Sequence, residues 1–205
     1  MATTYEFNEE MASKADDVAL RIDTSGAYIG KFTKAFAVVS QEKGTEGIEF
    51  DFETEQKEHA SFTLWTRRAD GSDIFSQNLV QAMMGLMGIR GLKAIAGKVS
   101  KYDADSNKRI EVEGEVFPDL AEKKIGLVLQ KELTTNKSGG DGFRINLYGT
   151  FDARTKMTAS ELRERATEPR KLDKMLKSLK DKDSRKPSAA SAPGIGATAA
   201  PEGNY

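Results

Sequence analysis

Residues 48–53 read Ile-Glu-Phe-Asp-Phe-Glu, a strict alternation of apolar and acidic side chains. Because successive side chains of a β-strand point to opposite faces, this stretch predicts a strand with one buried and one solvated face. Further β patterns flank it, at residues 28–40 on one side and 60–68 on the other. Turn-forming segments at 42–47 and 70–71 separate these runs, so the three strands predict an antiparallel meander.

The chain beyond the third strand predicts one helix and then two more strands. Apolar residues at helical spacing predict a helix over 74–87, followed by several glycines. Residues 102–115 are typical of an exposed loop or a weak hairpin. The β pattern returns over 124–133 and again over 143–151, separated by the flexible loop 136–142. The expected fold is therefore mainly β, with about five core strands and one inserted helix.

Alternation also assigns faces to the last two of these strands. The fourth strand carries its apolar residues on one face, because they recur at every second position. The same rule predicts an inner face on the fifth strand made of Phe143, Ile145, Leu147 and Phe151. The opposite face of that strand is predicted to hold Arg144, Asn146 and Tyr148.

The C-terminal part of the chain predicts two helices and a tail. Thr158 and Glu161 have the spacing of a capping box, and Pro169 favours the start of a second helix. The second helix carries an apolar stripe that packs on the barrel or on a partner; it consists of Leu172, Met175, Leu176 and Leu179. From Asp183 onward the composition of Ser, Ala, Pro and Gly predicts disorder. The expected organisation is an N-terminal extension (1–23), a β domain (24–152), a helical extension (153–182) and a disordered tail (183–205).

Composition narrows the classes of protein that this chain can belong to. The 205 residues include 31 basic and 32 acidic side chains, giving a net charge of -1, and no cysteine, which excludes disulfides and thiolate metal sites. The first residues do not resemble a signal peptide, and no run approaches the about 18 apolar residues of a membrane span. We expect a cytoplasmic protein without membrane contacts. Although the net charge of the chain is close to zero, two segments are locally basic, 74–101 and 158–186.

The residues that usually carry catalysis are scattered or missing. His59 is the only histidine, so histidine-based triads and metal sites lack partners. The acids at 49, 51 and 53 share a strand face, but a solvated outer face explains them better than a cation site. The glycines between 85 and 91 follow a helix and lack the ending of a phosphate-binding loop. We therefore expect no enzyme, no cofactor and no metal.

Aromatic and basic residues on the predicted strands are the remaining functional signal. Trp65 and Arg67 are predicted to share the outward face of the third strand. Single-strand binders combine aromatic faces that stack on bases with cations that contact phosphates. The candidate nucleic-acid-binding residues are Tyr28, Lys31, Lys34, Trp65, Arg67, Arg144 and Tyr148. The alternative interpretation is that Trp65 packs under the helix 74–87 or under the C-terminal helices.

The order of elements over residues 24–152 resembles that of small phage-encoded single-stranded DNA-binding proteins with an OB-like barrel. The segments that carry the resemblance are 25–34 (Ser-Gly-Ala-Tyr-Ile-Gly-Lys-Phe-Thr-Lys), 42–50 (Glu-Lys-Gly-Thr-Glu-Gly-Ile-Glu-Phe), 70–71 (Asp-Gly), 78–86 (Asn-Leu-Val-Gln-Ala-Met-Met-Gly-Leu), 119–129 (Asp-Leu-Ala-Glu-Lys-Lys-Ile-Gly-Leu-Val-Leu) and 144–148 (Arg-Ile-Asn-Leu-Tyr). The resemblance implies an OB-like antiparallel barrel that protects or presents single-stranded DNA during replication or recombination in the host cytoplasm. It also implies replication or recombination proteins as further partners. The chain departs from the pattern at its end, which lacks an acidic tip.

Two other functions stay open at this point. A protein-interaction module that modulates a recombinase or nuclease would dock through the Leu172 stripe and would not bind DNA itself. An enzyme would need a carboxylate–metal site, for which the sequence offers only scattered acids. The oligomeric state, including a homo-oligomer, is also open.

Overall fold

The computed structural model describes residues 20–103, 108–136 and 138–185. Most of the expected N-terminal extension and of the expected tail lies outside the described residues. The elements within them are β1 (Leu20–Arg21), β2 (Gly26–Val39), β3 (Glu46–Thr54), β4 (Glu58–Arg67), α1 (Ser76–Leu86), β5 (Ile95–Asp103), β6 (Lys108–Val116), a 3-10 turn (Pro118–Leu120), β7 (Lys124–Thr135), β8 (Asp141–Phe151), α2 (Ala159–Arg163), α3 (Lys171–Ser178) and β9 (Lys182–Asp183). None of the helices described here is long and apolar enough to cross a membrane.

The strands form one strongly curled sheet, an open half-barrel, so the expectation of a mainly β fold is confirmed. The centre of the sheet is the antiparallel series β4-β3-β2. The long strand β2 changes neighbour along its length: its first part pairs with β7, which pairs onward with β8, and Phe36 near its end pairs with Val116 of β6. Strands β4 and β8 approach each other without pairing, and α1 contacts both.

The region predicted as a loop or weak hairpin is a well-formed β-hairpin. Strand β5 begins at Ile95, earlier than the sequence pattern predicted, and pairs along its whole length with β6. Apart from its base at Phe36 and Val116, the hairpin is an extension of the sheet beyond the half-barrel. Strand β5 was not recognised because its glycine and lysine residues obscure the alternation of apolar side chains.

The main core lies on the concave face of the half-barrel. Alternate residues of β3 and β4 point into it, as predicted for residues 48–53. The aromatic rings are packed closely, with centroids 4.8 Å apart for Phe32 and Phe50 and 5.4 Å apart for Phe50 and Phe62. Val80 and Met83 of α1 close this core, so the helix is an integral part of the fold.

Three irregularities in the strand pairing change which side chains share a face. One extra residue enters the ladder at Thr33 of β2, at Thr66 of β4 and at Tyr148 of β8. A bulge of this kind shifts the alternation of faces by one residue. As a result Phe151, predicted on the inner face, lies on the outer face of the sheet.

The outer face of β7 and β8 is covered by the C-terminal helices. Phe151 and Val128 form a second core with Leu172 and the rest of the stripe on α3, so this stripe packs on the protein's own sheet. The predicted capping box at Thr158 is confirmed. Burial opposes ionisation of Glu161, but hydrogen bonds from the backbone of Thr158, Arg170 and Lys171 outweigh it and lower the pKa of Glu161 to about 2.

Alanine substitutions at Gly30 of β2 and at Gly85 of α1 form a matched test of how closely β2 approaches its neighbour. A Cβ at Gly30 would lie 2.1 Å from the backbone oxygen of Glu53, so the strand would have to shift. We expect Gly30→Ala to lower the free energy of unfolding by about 1–3 kcal/mol. Gly85 is exposed on α1, and a Cβ added there would have no atom within 4 Å. Gly85→Ala is therefore expected to raise the free energy of unfolding by about 0.5–1 kcal/mol. Urea denaturation measures both, and a stable Gly30→Ala variant would contradict the close strand approach.

Candidate nucleic-acid interface

The seven residues predicted to bind nucleic acid do not form one surface. On β2, Tyr28 packs against the main core, and its hydroxyl hydrogen-bonds the side chain and carbonyl of Thr24. The bulge at Thr33 brings Lys31 and Lys34 onto the same outer face, because they lie opposite Glu53 and Asp51. Simple alternation would have separated the two lysines.

Three of the four predicted phosphate-contacting cations have carboxylate partners. Lys31 forms an ion pair with Glu122, and Arg144 donates to Glu132 at 2.9 Å. Arg67 lies 3.7 Å from a carboxylate oxygen of Glu46 and 3.8 Å from one of Asp73. Lys34 is exposed, and no acid of the described chain lies within salt-bridge distance of it. The charge of the three paired cations is therefore already partly balanced.

The structure also separates the predicted aromatic residues. Tyr148 is the extra residue of the β8 bulge, and its hydroxyl lies 3.2 Å from Ser178 of α3. Trp65 lies on β4, a strand that does not pair with β8. The bulge at Thr66 places Trp65 opposite Gly47 and Arg67 opposite the neighbouring Glu46, so these two side chains lie on opposite faces. The expectation that they share a face is therefore wrong.

The indole of Trp65 is both held in place and accessible. It is 38% exposed, and its Cε3 atom would lie only 2.9 Å from a Cβ at Gly47. Glycine on the neighbouring strand thus leaves the space into which the indole packs, an arrangement that fixes an aromatic ring on a sheet. The alternative that Trp65 packs under a helix holds at most in part, because the start of α1 lies beside the indole but leaves it 38% exposed.

An open groove of about 830 Å³ lies beside this indole, and we call it the Trp65 groove. It is bounded by the β2–β3 turn, the end of β4 and the start of α1. Its lining residues are Ser40, Glu42, Lys43, Thr45, Trp65, Arg68, Ala69, Asp70, Ile74 and Ser76. Two cations, Lys43 and Arg68, and two carboxylates, Glu42 and Asp70, line this groove.

The loop that follows β4 is held in one conformation. Arg68 donates to the Ser72 hydroxyl at 3.2 Å and to the carbonyl of Asp73 at 3.3 Å. The carboxylate of Asp70 accepts hydrogen bonds from the side chain and from the backbone N–H of Ser72, and these lower the pKa of Asp70. Gly71 turns the chain with a φ of 84°. A groove wall of this kind is ordered before a ligand arrives, which reduces the entropic cost of binding.

Sequence reasoning missed Phe75, the most exposed large apolar side chain in the described chain. It is 79% exposed and lies between Ile74 and Ser76, two residues that line the Trp65 groove. An aromatic residue directly before the first turn of a helix could have been recognised as a candidate. The apolar periodicity of residues 74–87 instead suggested a buried helix start.

These features suit the binding of a ligand. Among the described residues, no group of three or more His, Asp or Glu side chains is arranged to hold a metal ion. The groove offers an aromatic face, two cations and two carboxylates, and an aromatic face beside cations suits a ligand made of flat rings and phosphates. Searches against protein-family models and against curated proteins found no match to this chain.

Proposed function

We propose that this chain is a single-stranded DNA-binding protein of the phage type that binds bases on Trp65. The observation that carries the proposal is the partly exposed indole of Trp65 in a groove that Lys43 and Arg68 also line. An aromatic face stacks on any base, and each stacked base contributes about 1–3 kcal/mol. The roles in replication or recombination and the phage origin rest on the sequence resemblance.

The order of the strands supports an OB-like barrel. The path β4-β3-β2-β7-β8, with α1 following β4, corresponds to a five-stranded barrel that is left partly open between β4 and β8. OB-folds bind oligonucleotides on their second and third strands and on the loop that joins the first two. In this chain those parts are β3, β4 and the β2–β3 turn; the turn and Trp65 of β4 line the Trp65 groove, and Gly47 of β3 pairs with Trp65.

The near-neutral net charge is compatible with this proposal. A stacking surface does not need a strongly basic protein, because part of the affinity comes from contact with the bases. The acidic partners of Lys31, Arg67 and Arg144 remove much of the positive field elsewhere. We therefore expect the phosphate contacts to concentrate at the few unpaired cations.

The alternative is an interaction module that docks on a partner through the apolar stripe of α3, but this stripe is covered by the protein's own sheet. The stripe around Leu172 packs against Val128 and Phe151 of the sheet. Such a module would therefore need a different surface.

The proposal is tested by titrating labelled oligothymidylate at low and moderate salt while tryptophan emission is followed. Trp65 is the only tryptophan, so quenching reports on the groove directly. We expect saturable binding, quenching, and a slope of log K against log salt of about −1.4 or steeper, from at least two phosphate contacts. Absence of binding at low salt would overturn the proposal.

A further inference from the structure

We infer that residues 1–19, which precede β1, pack on an apolar face formed by the β5–β6 hairpin and the adjoining end of β2. We call this surface the hairpin face. It consists of one side chain of β2 and alternate positions of β5 and β6, namely Phe36, Ile95, Gly97, Val99, Ile110, Val112, Gly114 and Val116. The inference is independent of the proposed function.

Strand pairing places these residues on a single face. Phe36 pairs with Val116, and Val116 pairs with Ile95, so the three side chains point to the same side of the sheet. The pairing of β5 with β6 continues in one register along the hairpin. A Cβ at Gly114 would lie 2.7 Å from the side chain of Val99, which places both positions on this side.

The hairpin face is buried at its centre. Phe36 and Val99 are each 2% exposed, although Phe36 lies on the outer face of β2, opposite Glu49. Within the described chain, neither residue belongs to the main core or to the second core. On the other side of the same hairpin Lys98 and Glu113 are exposed. These exposures are those of a single chain, so the part that covers Phe36 and Val99 belongs to the same chain.

Residues 1–19 carry the apolar side chains that such a face needs. Four of their apolar residues recur at helical spacing, and these are Phe7, Met11, Ala15 and Val18. The acids of the segment, at positions 6, 9, 10, 16 and 17, fall between them, so a helix here has one apolar and one acidic side. The C-terminal tail fits less well, because bulky apolar residues are almost missing from Asp183 onward.

The segment is long enough to reach the hairpin face. It joins the sheet at Leu20, which pairs with Glu58 next to the β3–β4 turn. Phe36 lies two strands beyond β4 and further along the sheet, at a distance of about 25 Å by the usual spacing and rise of strands. Nineteen residues span about 28 Å as a helix and about 60 Å when extended, so a partly helical segment covers this distance.

A spin label tests the contact directly, because the chain has no cysteine and a single introduced cysteine is labelled uniquely. A nitroxide is attached to Asn8→Cys in the full chain, at a position beside the apolar stripe of the segment. We expect the amide NMR signals of Phe36, Val99 and Val112 to lose most of their intensity, relative to the chain with the reduced label. The amide of Gly139, on the β7–β8 loop beyond the opposite end of β2, is expected to keep its intensity.

Two further substitutions in the labelled chain identify the surface of the segment that makes the contact. Met11→Asp places a charge on the apolar stripe and is expected to restore the weakened signals. Ser13→Asp, the matched control, adds the same charge on the acidic side and is expected to leave them weakened. The inference is overturned if the label weakens no signal of the hairpin face, or if Met11→Asp and Ser13→Asp behave alike.

A mixing experiment separates this contact from one between two copies of the chain. Isotope-enriched chain without a label is mixed with unenriched chain that carries the label, so that only contacts between copies are detected. We expect the signals of Phe36, Val99 and Val112 to keep their intensity in this mixture. Weakened signals there would assign the hairpin face to a second copy and would overturn the inference.

Discussion

The Trp65→Ala variant is expected to bind oligothymidylate about 5- to 150-fold more weakly than the wild type, because one stacked base contributes about 1–3 kcal/mol. The side chain is partly exposed and packs over Gly47. Its removal leaves no buried polar group without a partner, so we expect the variant to fold. Fluorescence anisotropy measures the Kd, and circular dichroism with urea denaturation confirms the folded state.

Tyr148→Ala is the matched control for this experiment. Tyr148 is 39% exposed, almost the same as Trp65, but its hydroxyl contacts Ser178 of α3, and neither residue lines the Trp65 groove. If the Trp65 groove binds the bases, Tyr148→Ala keeps the wild-type affinity. The sequence predicts a binding role for both residues, so equal losses in the two variants would favour a wider surface. A Trp65→Ala variant with an unchanged Kd would contradict the assigned groove.

The second large effect is expected at Glu132, a fully buried carboxylate between β8 and the C-terminal strand β9. It accepts from Arg144 at 2.9 Å and Asn146 at 2.6 Å, and its other oxygen lies 3.0 Å from Lys182. We expect Glu132→Ala to lower the free energy of unfolding by about 2–3 kcal/mol. Removing one partner of an ion pair that is buried on both sides destabilises a protein more than this. We do not expect that larger loss here, because Arg144 and Lys182 stay more than half exposed.

Glu111→Ala is the control for this variant, because the ion pair of Glu111 with Lys98, at 3.9 Å, is exposed on both sides. Its removal is expected to change stability by less than about 0.5 kcal/mol. A second measurement addresses β9 directly: the amide of Ser184, which donates to the carbonyl of Leu133, is expected to exchange faster in Glu132→Ala. If the urea midpoint of Glu132→Ala equals that of the wild type, Glu132 does not hold β9 against the sheet.

Acid stability follows from the same carboxylate. The hydrogen bond from Arg144, with those from Ser184, Lys182 and Asn146, outweighs burial and holds the pKa of Glu132 well below its usual range. A group with a lowered pKa stabilises the fold fully above the pKa of the unfolded chain and loses this contribution as the pH falls. Stability is therefore expected to decline below about pH 4.5, and Glu132→Gln is expected to flatten this decline.

Local patterns predicted the regular parts of the fold well. The alternation at residues 48–53 assigned the buried face correctly, and the spacing of Thr158 and Glu161 identified the capping box. Alternation at residues 124–133 identified only one of the two faces, because β7 is buried on both faces over residues 125–129. Both signals depend on neighbouring residues alone, so they can be read from a single sequence. The apolar stripe of α3 was also predicted, but whether it covers the barrel or a partner depends on long-range packing.

The bulges limited what could be predicted of the candidate site. An extra residue at Thr33 or Thr66 has no distinct local signature, since threonine is common in regular strands. Yet the bulge at Thr66 places Trp65 and Arg67 on opposite faces of the sheet. The bulge at Thr33 brings Lys31 and Lys34 onto the same face. Pairing of cations with acids from distant strands, as in Arg144 with Glu132, likewise depends on the register of the completed sheet.

The pairing of β9 with β7 has a consequence for synthesis on the ribosome. Strand β7 emerges from the exit tunnel well before residues 182–183, which later pair with Glu132 and Leu133. During that interval this edge of the nascent barrel has unsatisfied hydrogen-bonding groups, and unpaired edges favour incorrect association. A nascent chain arrested before residue 180 is therefore expected to bind holdase chaperones more strongly than one released at residue 186.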